Sequence, residues 1–173
     1  MNNSINETTL SNGLRVVYQK INNSQTCAAH ILVKVGSVNE PDGLEGASHF
    51  LEHMIFKGSD TMNTKQISKE FDSIGAEMNA YTSNDHTCYY FKAHNDYLEK
   101  CLSIYNNILF YPRMNKEDFE KERTVIVDEI IRANDNVEGQ INEKIYSLVF
   151  NGSSLAKPIG GTQETIEAID YED

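Results

Sequence analysis

The chain has 173 residues, enough for one domain with its own core and too few for two. Hydrophobic residues make up 39% and charged residues 24%, an ordinary globular balance, and no stretch approaches the roughly 18 apolar residues that would span a bilayer. Fifteen basic against twenty-six acidic side chains give a net charge of -11, which argues against a nucleic-acid partner held by phosphate neutralisation and is compatible with basic peptides.

The amino terminus, MNNSINETTLSNGLRVV, has neither a basic region followed by an apolar run nor an Arg-rich amphipathic helix. No targeting segment is visible, so a cytoplasmic location is expected, with organelle and periplasm left open. After a Ser-Asn-Gly turn, Leu14 to Lys20 has the β-branched and aromatic content of a strand, and a second strand is expected from Cys27 to Val35, before Gly36 and the turn-rich SVNEPDG. His30 lies inside that strand and reads as a packed or surface residue. Cys27, Cys88 and Cys101 are far apart and show no C-x-x-C spacing, so reduced thiols are expected rather than a disulfide framework or a cysteine zinc site.

The next segment is His49-Phe50-Leu51-Glu52-His53. On a helix, residues three and four apart share a face, so His49, Glu52 and His53 project together while Phe50, Leu51 and Met54 turn largely elsewhere. Two imidazoles on adjacent turns can both reach Zn(II) at roughly 2.0 to 2.1 Å, and a carboxylate beside them can take a proton from the water that the metal activates. The spacing H-x-x-E-H is the reverse of H-E-x-x-H and is itself a metallopeptidase pattern. The bland alternative is a helix with these three residues on a solvated face.

Past Gly58, Thr64 to Ile74 places Ile67, Phe71 and Ile74 at helical spacing, capped by Thr64 or Asn63, with Gly75 ending the helix. Strands are expected at Ala76 to Thr82 and Thr87 to Ala93. Alternation in the second puts His86, Cys88, Tyr90, Lys92 and His94 on one face and Thr87, Tyr89, Phe91 and Ala93 on the other. His86 and His94 are rival ligands in principle, read here as structural. A helix follows from Asp96 to Phe110 with the stripe Leu98, Leu102, Tyr105, Ile108 and Leu109. Another begins after Asn115, carries Phe119, Val125, Ile126, Ile130 and Ile131, and ends near Asn134. Asn136 to Phe150 reads as a further helix, and Thr162 to Ile169 as a short one capped by Thr162. The whole suggests an α+β layout, a mostly antiparallel sheet layered with helices.

A catalytic zinc site takes three protein ligands, so a third donor is needed. Glu117, Asp118, Glu120, Glu122, Asp128 and Glu129 all lie on the helix after Asn115, and physics alone does not choose among them.

Gly43 to Ser59, GLEGASHFLEHMIFKGS, resembles the active-site helix of the pitrilysin and mitochondrial processing peptidase family, the inverted-zincin metallopeptidases. The resemblance runs from Leu10 to Ile169. It implies one Zn(2+) per chain held by His49, His53 and Glu129, because the family's glutamate ligand lies about seventy-five residues beyond the second histidine. It implies Glu52 as the catalytic base, and Glu122, seven residues before Glu129 and two turns away on the same face, as a supporting member of the catalytic set. Gly75 to Thr82 resembles the strand beside the zinc helix, which makes Asn79 and Ala80 the expected substrate-binding pair, by strand addition.

What the resemblance implies is a zinc-dependent endopeptidase acting on peptides or unfolded polypeptide segments. It also implies that residues 1–173 form a single N-terminal catalytic domain lacking its last helix and strand. A second peptidase half is expected, as further sequence of the same chain, a second copy or another subunit. One departure stands out: family members tend to carry His-Pro before Leu-Gly where this chain reads Ser153-Ser154-Leu155-Ala156-Lys157-Pro158. The alternative is a non-catalytic subunit on the same fold, although such members characteristically lose zinc-site residues. A simple zinc-binding module leaves Glu52 without a purpose.

Overall fold

A computed structural model describes residues 4–172. Strands β1 (Ile5–Thr9) and β2 (Arg15–Gln19) form an antiparallel hairpin, with Ile5 opposite Gln19 and Thr9 opposite Arg15. β1 goes beyond the sequence expectations. Its residues Ile-Asn-Glu-Thr-Thr show no apolar alternation, and its place is set by the ladder to β2 rather than by burial.

The second sheet contains β3 (Thr26–Val33), β4 (Glu77–Thr82) and β5 (Thr87–His94) in the order β3-β5-β4. Both pairings are antiparallel, with Val33 opposite Thr87 and Thr82 opposite Thr87. β3 ends two residues before the expected Val35. The expected alternation in β5 holds: Thr87, Tyr89, Phe91 and Ala93 are all buried on the inner face. Cys88, on the other face, is also fully buried, next to His30 Nδ1 at 3.5 Å. β4 is an edge strand.

The helices are α1 (Ala47–Ile55), α2 (Thr64–Ser73), α3 (Leu98–Phe110), α4 (Lys116–Asn134), α5 (Val137–Val149) and α6 (Gln163–Ala168). Side-chain caps start four of them. Asn63 accepts from Gln66 N, Asn115 from Asp118 N, Asn136 from Glu138 N and Thr162 from Thr165 N. A 3-10 turn at Asn95–Tyr97 precedes α3 where helix was expected from Asp96.

The larger core packs α2 and α3 on the inner face of the β3-β5-β4 sheet, around Ile67, Phe71, Phe91, Tyr105 and Ile108. Tyr105 donates its hydroxyl to Tyr90 O at 2.6 Å, which satisfies the polar end of a fully buried ring. The expected α3 stripe is rotated: Cys101 and Ile104 are buried, while Leu98 and Leu102 are exposed, because the sheet meets the helix about one residue round from the apolar maximum. On α4, similarly, Phe119 and Ile126 are buried but Val125 and Ile131 are exposed.

A smaller core of Phe50, Met54, Phe119, Ile126, Ile166 and Ile169 joins α1, α4 and α6. The Phe50 and Phe119 rings stack with centroids 4.4 Å apart. α1 thus sits between the two cores, giving Ile55 to one and Phe50 and Met54 to the other. Its remaining polar face is fixed in place by what the helix buries. Among the described residues, no helix is long and apolar enough to cross a membrane.

Candidate metal centre

The entry to α1 is held from two sides. Gly46 takes φ +96°, a conformation side chains resist, and a Cβ there would lie 2.6 Å from both Gly160 O and Ile166 Cδ1. The Glu40 carboxylate folds back onto the helix start, accepting from Gly46 N at 2.9 Å and Ser48 N at 2.7 Å. An anion on those otherwise unpaired amides is favourable at a helix N-terminus. Lys157 donates to Asp42 at 2.6 Å and Glu45 at 2.7 Å, tying the 157–161 loop to the same segment.

One turn later the expected side chains converge. His49 Nε2 and His53 Nε2 are 3.2 Å apart, and Glu129 Oε2 of α4 lies 3.5 Å from His53 Nε2. One donor atom from each of the three residues falls within 4.8 Å of the others. Those two separations bracket the roughly 3.3 to 3.4 Å edge of a tetrahedron whose bonds are about 2.0 to 2.1 Å. Converging imidazole lone pairs repel unless a proton or cation lies between them, so the donor set fits a divalent ion such as zinc. Glu122, Ile126 and Glu129 occupy one stripe of α4, so burying Ile126 carries both glutamates to the α1 side.

Glu122 is buried behind His53 rather than facing the donors. Its Oε1 accepts from His53 Nδ1 at 2.8 Å, and Lys57 pairs with its Oε2. A carboxylate on Nδ1 selects the tautomer that leaves Nε2 free, an arrangement common at metal-binding histidines. The hydrogen bond that His53 donates to Glu122 holds the His53 pKa above the usual imidazole value against the opposing effect of burial. Burial pushes His49 the other way, helped by the neighbouring His53. For Glu122, burial opposes ionisation, but the hydrogen bonds from His53 and Lys57 outweigh it and hold the carboxyl below its ordinary value. His49 Nδ1 is buried with no hydrogen-bond partner among the described residues, so the ring's polarity is left to its Nε2 side.

Glu52 points into the same space. It is 9% exposed, and its Oε2 accepts from the Thr82 hydroxyl at 2.6 Å at the end of β4. A cleft of about 900 Å³ is lined by His49, Glu52, His53 and Glu129 on one side and by Asn79 to Thr82 of β4 on another, with Pro158 to Glu164 closing a third. Asn79 is exposed and its Oδ1 accepts from Ala80 N at 2.8 Å, while Ala80 is half-buried.

All seven residues singled out from the sequence therefore meet at one place, six on the cleft wall and Glu122 behind it. His86 instead pairs with Asp85 at 2.7 Å and contacts Tyr81, and His94 caps Asp96 N, so neither joins the donor set. Sequence reasoning missed Thr82, Glu40 and Lys57. The alternation of β4, which puts Thr82 on the face of Ala80, and the i, i+4 relation of His53 and Lys57 were the signals available for two of them.

The model of the insulinase family (peptidase family M16) matches residues 15–163. A Rickettsia bellii protein named as an uncharacterized zinc protease is 41% identical over 172 residues, covering 99% of this chain and 42% of its own length. The β subunit of the mitochondrial-processing peptidase of Neurospora crassa is 34% identical over 162 residues, covering 94% of this chain and 34% of the subunit. The crystal structure of a Helicobacter pylori protease superposes with a TM-score of 0.92 at 26% identity, over 99% of this chain and 41% of that one. The chain thus spans well under half the length of these relatives. With the family match covering most of its residues and relatives named as zinc proteases, this chain belongs to the insulinase family, peptidase family M16.

Proposed function

We propose that this chain is the zinc-binding catalytic domain of an endopeptidase that hydrolyses peptides or unfolded polypeptide segments. The observation that carries the reading is the convergence of His49, His53 and Glu129, with one donor atom of each within 4.8 Å of the others, and the Glu52 carboxylate lining the same cleft. His49, His53 and Glu129 would hold the ion. When bound, zinc supplies Lewis acidity, polarising a peptide carbonyl and bringing the pKa of water towards about 7.

The rest falls to the chain's own side chains. Glu52, oriented by the Thr82 hydroxyl, takes a proton from the attacking water and returns it to the leaving amine. Water attacks directly, so no serine or cysteine nucleophile is needed. Cys88 and Cys101 suit that division, since burial pushes both thiols above their ordinary values. Asn79 and Ala80 lie on the edge strand β4, where an extended substrate can add as a further strand along the cleft wall. Glu122 positions His53. The relatives are more than twice as long, and we assign to the additional length an opposing wall that encloses the substrate.

The test is cleavage of a quenched peptide library by zinc-loaded protein, comparing wild type with Glu52→Gln. The variant should keep its zinc and lose about 100-fold or more in turnover. Full turnover in Glu52→Gln would remove the assignment.

A further inference from the structure

We propose that Lys57 is a positioning residue of this centre: by holding Glu122 Oε2 it keeps Glu122 Oε1 on His53 Nδ1, and so keeps His53 Nε2 aimed at the converging donors. The inference rests on the zinc reading above and adds to it a residue that touches neither metal donors nor substrate cleft.

Lys57 lies two residues past the end of α1, and its ammonium pairs with Glu122 Oε2 while His53 holds Oε1 of the same carboxylate. Its own backbone is pinned. Lys57 N donates to Met54 O at 3.0 Å, and Lys57 O accepts from the Thr64 hydroxyl at 3.0 Å, joining it to the start of α2. The Glu122 side chain is only 6% exposed, and among the described residues His53 and Lys57 are its only ion-pair partners. One carboxylate oxygen therefore faces each partner. Glu122 reaches this point from α4, across the seam between two helices, and a carboxylate with one partner can turn about its side-chain bonds. With two partners, one on each oxygen, it cannot.

Removing Lys57 leaves a buried carboxylate with half of its compensation, a costly state that is relieved by moving towards water. His53 then loses the fixed acceptor that selects its tautomer. A purely structural ion pair gluing α1 to α4 makes a different forecast, because its loss weakens folding without acting through Glu122 on zinc.

The experiment is a double-mutant cycle on the full chain, read as zinc affinity by chelator competition, with zinc-free thermal unfolding as the folding readout. Lys57→Met should weaken zinc by about 10-fold and Glu122→Gln by about 10- to 100-fold, the range for partners of metal-bound histidines. Lys57→Met added to Glu122→Gln should bring no further loss, and Lys57→Arg should restore near wild-type affinity. Wild-type affinity in Lys57→Met, or the same fractional loss in both backgrounds, overturns the proposal. Lys57→Gln serves if the methionine variant does not fold, and failure of both to fold makes Lys57 a structural clamp and also overturns it. A wild type that takes up no zinc fails the metal reading itself, whereas zinc uptake beside an unaffected Lys57→Met fails this inference alone.

Discussion

Helices α4 and α5 follow each other in the chain and differ sharply in surroundings. α4 buries Phe119, Glu122 and Ile126 along one stripe, whereas α5 buries nothing and leaves Val137, Ile141, Ile145, Leu148 and Val149 all more than half exposed. Apolar content does not separate them; a partner does. Glu122 and Glu129 ride on the helix whose Phe119 and Ile126 pack with Phe50 and Ile166, so their positions are inherited from a core. A site needs that: donor atoms placed to fractions of an ångström require rotamers that packing has already fixed.

The sharpest way to break this contrast is to cut the stripe at its apolar member. Ile126→Ala should destabilise the fold by about 2 to 5 kcal/mol, measured by chemical denaturation, and should weaken zinc binding as well because Glu122 and Glu129 flank it. Glu129→Gln leaves the core intact and removes a donor. It should lose more zinc affinity than the roughly 10- to 100-fold expected for an outer partner, seen as metal lost on dialysis. Unchanged zinc content there would move the third ligand to another carboxylate.

Acidification probes the same seam more gently. His53 holds its proton to higher pH than a free imidazole because of Glu122, so below that point zinc uptake must displace a proton. Affinity should therefore fall by up to about 10-fold per pH unit on the acid side of the His53 titration and level off above it. His49, depressed by burial, takes up its proton only further to the acid side. The smallest effect belongs to α5: Leu148→Ala should change stability by less than about 0.5 kcal/mol and leave zinc affinity alone.

Much of the site was legible because it is local. The spacing of His49, Glu52 and His53 fixes their shared face as soon as the segment is helical, and Asn63, Asn115 and Thr162 announce the helices they cap. The third candidate donor, Glu129, was singled out only through resemblance, since six carboxylates on one helix are equivalent until something packs against it. The rest depended on tertiary contact. Glu40 sits in a turn-rich stretch that gives no sign of folding back onto Gly46 and Ser48, and Lys57 becomes relevant only once α4 brings Glu122 across. The rotated stripe on α3 has the same origin: Leu98 and Leu102 are as apolar as Cys101 and Ile104, and the position of the sheet decides which pair is covered. β1 escaped because a strand held by its ladder alone leaves little hydrophobic pattern.

The cage formed by α1 and α4 is tested most directly by anomalous scattering at the zinc absorption edge from crystals of the zinc-loaded chain. The expected result is a single ion bonded to His49 Nε2, His53 Nε2 and a Glu129 carboxylate oxygen, with Glu52 beside it and not bound. An ion at any other position, or one that leaves Glu129 out of its coordination, contradicts the account.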